Sequence, residues 1–544
     1  MERFLVLIDV PSIKQYVFGT DTLAEIRGAS ALLDHLNRQE MERILERQFP
    51  HRVEKVYANG GAAQFIVMAQ DRTQVEAALV ELARVISEKT GGGVGLTWGI
   101  GRLNPVGGGS YKAALDEAFS EQRWWRACGM EQRSVPTFPL AEECESSSYY
   151  PATREYPWGE EVKIISEVIA RKYDAATNPQ LFGLWHQFVN WLQSKQGWPQ
   201  VDPTKISCRM LEDIGEASQT RWGYIGLIYA DGNAMGRLVQ EISSAEVARA
   251  FSELVDGSLR DACHHALKEI LGNFIDLVNE EITRPGQPDT QLPGDILLLG
   301  GDDLMVVLPA ERAIPFAIRS SQLFEEFSRD RIQGLQGEAR EFLKSRVGDR
   351  GLTFSCGVAI GPARYPFYLL LELAEELLAS AKRGSSSDPE AQAYWAPSYI
   401  DFHIQAGSAT QDLRQLRRHD YGEGTSYVRT LRPYRRERLK TLCEAAKKLS
   451  DARLPKSKLH DFLEAALEPR PRAAGWRARE IFVRLPETET VTQRSTFWNL
   501  LNQFGAVSME DFPWTRRNGK KYTALADLVE VCDLFSTRAS KERI

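Results

Sequence analysis

Residues 297–299 and 304–308 form two short apolar runs on either side of Gly300-Gly301-Asp302-Asp303. Each run has the pattern of a buried strand, and paired glycines between such runs predict a tight hairpin. The pattern stands once before, where Val56-Tyr57-Ala58-Asn59 leads through Gly60-Gly61 into Ala62-Ala63-Gln64-Phe65-Ile66-Val67. The flanking periodicities repeat as well. Residues 4–8 read as a strand ending at Asp9, 12–18 and 21–36 as helical, 73–89 as an amphipathic helix and 94–101 as a strand. Leu32, Leu33 and Leu36 form an apolar stripe of core residues within the second helical segment. In the later copy, residues 224–229 read as a strand leading into Ala230-Asp231, and 245–282 as one long helix. A Pro- and Gly-rich loop at 283–294 precedes the hairpin. A helix at 313–342, a strand at 352–360 and a helix at 369–382 follow. Two passes of strand, helix, hairpin, helix and strand predict a duplicated β-α-β-β-α-β unit of ferredoxin-like layout. Gly95-Leu96-Thr97-Trp98 pairs with Gly351-Leu352-Thr353-Phe354 in this duplication, with Gly99 and Gly357-Val358 close behind.

The remaining segments are less regular. Pro, Ser and Glu cluster at 135–157, and 160–195 is helical with Trp185, Phe188 and Trp191 at core spacing. Residues 384–389 read as a mobile loop and 398–408 as a short strand-like piece. From residue 431 the chain is helical and charged. Its densest basic run is Arg435, Arg436, Arg438, Lys440, Lys447 and Lys448, with a second cluster at Arg470, Arg472, Arg477 and Arg479. A solvated helix face and an RNA or partner surface are both open readings of these cations. The expected division is 1–128, 129–222, 223–410 and 411–544. The class is α+β, with two ferredoxin-like domains and helical intervening and C-terminal domains.

Composition narrows the partners. At 544 residues the chain is long enough for three or four domains. A net charge of -7 supplies no bulk basic field, so any RNA contact is local or made through other proteins. The seven cysteines are scattered without a CxxC pair, which fits free thiols in a reducing cytoplasm. No signal peptide and no membrane-spanning run are read, so a cytoplasmic protein without a membrane partner is expected.

The chemistry concentrates on three carboxylates. Asp231 ends the first strand of the second unit, and Asp302 and Asp303 stand on its central hairpin. Neighbouring strands of this layout bring all three to one end of the sheet. Like charges so close repel unless cations lie between them, and hard oxygen donors suit Mg²⁺ or Mn²⁺. Two ions on Asp231, Asp302, Asp303 and the Gly232 backbone would support nucleotidyl transfer, with Asp302 and Asp303 the catalytic pair. One ion would activate a ribose hydroxyl, and the other would stabilise the triphosphate and the leaving pyrophosphate. Gly232 and Asn233 would turn the chain around a triphosphate, with Gly236 just beyond. Gly300 and Gly301 would let backbone approach the nucleotide, and Lys382 would meet a phosphate as a point charge. The first unit holds Asp9 alone, with Ala62 and Ala63 in place of the paired aspartates. One competent and one degenerate unit follow. Solvated aspartates at a polar hairpin tip are the bland alternative.

Tyr229-Ala230-Asp231-Gly232-Asn233-Ala234-Met235-Gly236 together with Gly300-Gly301-Asp302-Asp303-Leu304 resembles the catalytic palm of the large subunit of type III CRISPR effector complexes. That family is related to polymerase and GGDEF-type cyclase palms. Ala374-Glu375-Glu376-Leu377-Leu378 with Ala381-Lys382 resembles its final palm helix. Glu25-Ile26-Arg27-Gly28-Ala29-Ser30-Ala31-Leu32-Leu33 resembles its inactive first palm, and Ile400-Asp401-Phe402-His403 is also similar. The resemblance covers about residues 1–410. It implies two palm domains, the first degenerate and the second catalytic. It further implies an ATP-dependent cyclase that makes cyclic oligoadenylate for antiviral defence, switched on when the guide-RNA complex binds target RNA. Contact with guide and target RNA would run through the other effector subunits.

Two departures are expected. The chain starts at the first palm, without the HD nuclease domain of many members, and His419-Asp420 and His460-Asp461 are isolated dipeptides. Cys128 and Cys144 lack paired partners, so no structural zinc is expected. Two other readings remain open at this level. One is a stand-alone cyclic nucleotide synthase or polymerase, a homodimer if it works alone. The other is a catalytically silent scaffold that binds nucleotide and RNA.

Overall fold

The fold is described from a computed structural model, over residues 1–103, 110–128, 141–147, 150–158, 161–178, 181, 183–282, 290–405, 412–451, 454–487, 493–505, 508–517 and 519–535. The expected loop at 283–294, the cluster at 135–157 and the strand at 398–408 fall partly outside these residues.

The first unit runs β1 (Glu2–Asp9), α1 (Ile13–Phe18), α2 (Leu23–His35), a π-helical turn at Leu36–Glu40 and α3 (Met41–Gln48). It continues with β2 (Val53–Asn59), β3 (Ala62–Ala69), α4 (Arg72–Lys89), β4 (Thr97–Leu103) and α5 (Tyr111–Ala127). Its sheet has the order β2-β3-β1-β4, the ferredoxin-like arrangement. Asp71 caps α4 by accepting from the Gln74 N–H, and Ser110 caps α5 from Ala113. The apolar run in β1 is continuous because both faces of the strand are covered. Leu5 and Leu7 enter one core, and Phe4, Val6 and Ile8 the other.

A hairpin, β5 (Arg154–Trp158) and β6 (Glu161–Ile165), opens the intervening region. Helices α6 (Glu167–Thr177), α7 (Leu184–Gln196), α8 (Pro203–Ile206) and α9 (Leu211–Glu216) follow. Trp185 and Phe188 of α7 are fully buried, the core role their spacing implies.

The second unit begins with β7 (Tyr224–Gly232), α10 (Met235–Gln240), α11 (Ala245–Ile270) and α12 (Gly272–Ile282). Then come β8 (Asp295–Gly300), β9 (Asp303–Pro309), α13 (Ala310–Gly334), α14 (Gly337–Val347), β10 (Phe354–Pro362), α15 (Phe367–Ser386) and β11 (Tyr399–Ile404). The order β8-β9-β7-β10 repeats that of the first sheet, and β11 extends it parallel to β10. In β9, Leu304, Val306 and Leu308 enter one core, and Met305 and Val307 the other.

Several expected boundaries move. The single helices expected at 245–282 and 313–342 are each two helices. The first breaks before Gly272, and the second between Gly334 and Gly337, where Gly337 takes φ +64°. Residues 384–386, expected in a loop, belong to α15. The C-terminal region holds α16 (Leu413–His419), β12 (Tyr427–Val428), β13 (Tyr434–Arg435), α17 (Arg436–Asp451), α18 (Lys456–Leu467), α19 (Pro471–Val483), α20 (Gln493–Asn502), β14 (Thr515–Arg517), β15 (Lys520–Tyr522) and α21 (Leu525–Phe535). The α+β reading with two ferredoxin-like units stands. To it are added the β5-β6 hairpin, a small β12-β15-β14 sheet, and β13 at the edge of the second large sheet.

The register corrects the duplication in detail. Asp9 lies opposite Ala62 on β3 and Thr97 on β4, while Asp231 lies opposite Asp303 on β9 and Ser355 on β10. The residues in place of Asp302 and Asp303 are therefore Gly61 and Ala62, one position earlier than Ala62 and Ala63. Likewise Gly99, opposite Leu7, matches Gly357, opposite Tyr229. The match of 95–98 with 351–354 is thus out by two. Both glycines serve close helix packing: a Cβ at Gly99 would lie 1.9 Å from the Ala118 carbonyl of α5, and one at Gly357 2.2 Å from the Ala374 carbonyl of α15.

Candidate active site

Asp231 and Asp303 are directly opposed on antiparallel neighbours, so their side chains share one face of the sheet. Asp302 follows Gly301, which takes φ +61° in the turn. Its Cβ lies only 2.9 Å from where a Cβ on Gly232 would stand. A side chain at 232 would therefore push the turn away from β7. The three expected carboxylates do converge at one sheet end, and each is partly buried.

Loss of water and mutual repulsion shape the titration of Asp302 and Asp303. Burial first, then Asp231 and Asp303, holds the Asp302 carboxyl well above the ordinary aspartate value. Burial and then Asp231 push Asp303 up to about 6, against the opposing pull of Lys14 and Lys382. The Tyr229 hydroxyl donates to Asp303 Oδ1 at 3.4 Å. Lys382 of α15 sets its ammonium 2.5 Å from Asp231 Oδ2 and donates to the Gly232 carbonyl. Lys14 of α1 pairs with Glu375 at 2.8 Å and stands 4.5 Å over the Tyr229 ring.

A cleft of about 490 Å³ opens beside the carboxylates, with Asp231, Asn233, Gly236, Asp302 and Lys382 in its wall. The remaining expected nucleotide-binding residues divide by role. Gly236 faces open space, since a Cβ there would meet nothing within 4 Å. Asn233 is buried and its side chain is already bonded: it donates to Thr353 Oγ1 at 3.0 Å and accepts from Ser355 Oγ at 2.9 Å. It fixes the turn after β7. Gly300 and Gly301 are not in the wall of this cleft. The close approach they permit is to the other hairpin, where Gly60 would carry a Cβ only 3.0 Å from Gly300 and Gly301 backbone atoms. The Gly301 N–H also donates to Asp256 Oδ1 at 3.4 Å, and Arg38 holds Asp256 at 2.7 Å.

The donor set of three carboxylates and one carbonyl is hard oxygen, as Mg²⁺ and Mn²⁺ prefer. Among the described residues, no three acidic, His or Cys side chains are gathered closely enough to close on one ion. Lys382 instead lies on Asp231 and on the Gly232 carbonyl.

The first unit offers a contrast. Asp9 is paired with Arg126 of α5 at 2.5 Å. A cleft of about 620 Å³ adjoins it, lined by Asp9, Tyr57, Arg123 and Arg126, and shares Gln240 with the cleft of the second unit.

Sequence reasoning passed over Lys14 and Arg126, and placed Tyr229 in the motif without giving it a role. The two cations stand on the degenerate half, and nothing local marks them as facing an active cleft. Ile400-Asp401-Phe402-His403 proves structural, with Asp401 buried against Arg417 at 2.6 Å. In the basic run, Arg435 pairs with Glu390 at 2.9 Å and Arg436 with Glu325 at 2.8 Å.

Residues 224–389 match the model of the Cas10/Cmr2 second palm domain. Over these residues the chain is similar to Cas10/Cmr2. In fold it is similar to Csm1 of T. onnurineus, with 14% identity and a TM-score of 0.52 over 99% of this chain and 70% of that one. It is also similar to a Csm1–Csm4 cassette in complex with pppApA (14%, 0.51, 98% and 69%) and to one in complex with cA3 (14%, 0.51, 99% and 70%). At such identity the likeness is one of fold. No curated protein matches the sequence. Among the described residues, no helix is long and apolar enough to cross a membrane. The two ferredoxin-like units are hereafter the first and second palms.

Proposed function

We propose that this chain is the large subunit of a type III CRISPR effector complex and that its second palm converts ATP into cyclic oligoadenylate. One observation carries this reading. The second palm concentrates Asp231, Asp302 and Asp303 at one sheet end, at the cost of raised pKa values for Asp302 and Asp303, while the first palm has Gly61 and Ala62 in place of the pair. A site with no ligand to hold has no reason to crowd three carboxylates. The similar Csm1–Csm4 cassettes, in complex with pppApA and with cA3, support adenylate as the substrate class and other effector subunits as partners.

Asp231, Asp302, Asp303 and the Gly232 carbonyl would hold two Mg²⁺ or Mn²⁺ ions. Bound there, the ions would supply activation of a ribose hydroxyl and charge for the triphosphate and its leaving pyrophosphate. Asn233, through Thr353 and Ser355, keeps the turn after β7 in place. Gly236 leaves room for a phosphate against backbone, and Lys382 offers an ammonium to it. Guide and target RNA would act on the site through the other subunits, in the cytoplasm.

A nucleotide-binding scaffold without chemistry is the second reading, favoured by Lys382 lying on two of the intended metal ligands. Incubation with ATP and Mg²⁺ or Mn²⁺, followed by mass spectrometry, separates the two. Adenylate oligomers from the unaltered protein, absent with Asp302→Ala/Asp303→Ala, support the cyclase. Oligomers made equally by both proteins contradict it.

A further inference from the structure

We propose that Lys382 is a displaceable internal cation. Its ammonium lies on two of the proposed metal ligands, Asp231 and the Gly232 carbonyl, and transfers to the substrate triphosphate when a divalent ion enters. The inference rests on the reading above that the second palm binds metal and nucleotide.

The geometry gives three reasons. First, the ammonium touches the Asp231 carboxylate and the Gly232 carbonyl, the two donors that β7 presents to the site. Among the described residues, no three acidic, His or Cys side chains are gathered closely enough to close on one ion. A compact cation with three donors can hold such oxygens in place of a metal ion, and a flexible four-carbon stem can release them. Second, the base of that stem is fixed. Helix α15 is pressed onto β10 through Gly357, so entry of an ion moves the ammonium and not the helix. The cleft that receives it is already in contact, since Lys382 lines the same wall as Gly236 and Asp302.

Third, the first palm carries the same device in a locked form. Ala118 of α5 and Ala374 of α15 are equivalent, because each sets its carbonyl against the matching strand glycine. Arg126 lies eight residues after Ala118 (126 − 118 = 8), and Lys382 eight after Ala374 (382 − 374 = 8). Each cation pairs with the aspartate at the end of the first strand, Arg126 with Asp9 and Lys382 with Asp231, both at 2.5 Å. The position is therefore part of the duplicated fold. In the first palm, where the carboxylate pair is gone, it holds a guanidinium, which stays charged and grips a carboxylate through its fork. In the second palm it holds an ammonium that can leave.

Divalent-ion affinity tests this without relying on turnover. Mn²⁺ is titrated into the full chain without nucleotide at fixed pH and ionic strength, and free Mn²⁺ is read by electron paramagnetic resonance. Lys382→Met is expected to bind Mn²⁺ about tenfold more tightly than the unaltered protein, because a competing unit charge has been removed. Lys382→Arg is expected to bind about tenfold more weakly, because the site then resembles that of the first palm. A non-hydrolysable ATP analogue is expected to tighten Mn²⁺ binding in the unaltered protein and to do so less in Lys382→Met.

Equal or weaker binding by Lys382→Met would overturn the inference. If Asp302→Asn/Asp303→Asn still abolishes binding in that case, the metal-site reading survives on its own. Absence of Mn²⁺ binding in every protein would overturn both. Should Lys382→Met fail to fold, Lys382→Arg carries the same decision, and affinity unchanged from the unaltered protein overturns the inference.

Discussion

Asp302 and Asp303 are the residues on which the account turns, and their titration can be followed without any turnover. A carboxyl whose folded-state pKa lies above its unfolded value takes up a proton on folding. Its contribution to stability is therefore most favourable at low pH and falls as pH rises from the unfolded to the folded value. For Asp303 the window runs from about 3.8 to about 6, and for Asp302 it extends higher. Asp302→Asn/Asp303→Asn should accordingly melt higher than the unaltered protein at pH 8 without divalent ions, by about 1–3 °C. The gain should shrink at pH 5.5. Scanning fluorimetry at the two pH values checks this, and a gain independent of pH would count against mutual repulsion at the site. These aspartates were legible in the sequence because adjacent like charges between two buried strands, beside a strand that ends in Asp231, repel unless cations lie between them. Lys14 and Arg126 were not legible, because a single cation on a helix has the pattern of a solvated face until the fold shows what lies opposite.

At the scale of elements, both hairpins were legible but their register was not. Aligning Gly60-Gly61 with Gly300-Gly301 is natural in the sequence, yet the turn centres are Gly60-Gly61 and Gly301-Asp302. In the first turn both central residues take positive φ, at 59° and 82°. In the second only Gly301 does, which leaves the other central place free for Asp302. Gly300 is then a strand residue held small by its neighbour, since a Cβ there would lie 2.9 Å from the Gly60 nitrogen and 3.0 Å from its Cα. Gly300→Ala should push the two hairpins apart, with a loss of about 1–3 kcal/mol and a displaced Asp302. Gly236→Ala meets no neighbour and lies in a helix, so its stability should hold or rise by up to about 1 kcal/mol. Its affinity for an ATP analogue should fall, because the new methyl group enters the cleft. Denaturant unfolding and calorimetric titration of the two variants read both effects. The reverse order, with Gly236→Ala unstable and Gly300→Ala silent, would contradict the assigned places of these glycines.

For the whole molecule, the two palms are joined by contacts that have no local signature. Arg27 of α2 reaches the fully buried Asp295 at the start of β8, with its Nε at 2.8 Å, and Ser30 donates to the Leu297 carbonyl of the same strand. Partners 268 residues apart cannot be matched from one sequence, so the segment 25–33 showed only its leucine stripe and a family resemblance. Arg432 plays a similar part at the other end. It is fully buried against Asp527 at 3.0 Å and donates to the Phe402 carbonyl, tying α21 to β11. Arg27→Ala would leave the Asp295 carboxylate buried without a counter-charge. The expected cost is about 3–5 kcal/mol, seen as a lower denaturant midpoint. A midpoint unchanged within error would show that the palms are held together by their shared apolar cores alone.

The central claim is that the second palm performs metal-dependent transfer of adenylate through Asp231, Asp302 and Asp303. Its most direct measurement is the rate of pyrophosphate release from ATP with Mg²⁺ or Mn²⁺, compared between the unaltered protein and Asp302→Ala/Asp303→Ala under identical conditions, with RNA and partner subunits included. Release by the unaltered protein is expected, with a fall of at least about a hundredfold in the double variant. Equal release by the two proteins would contradict the claim.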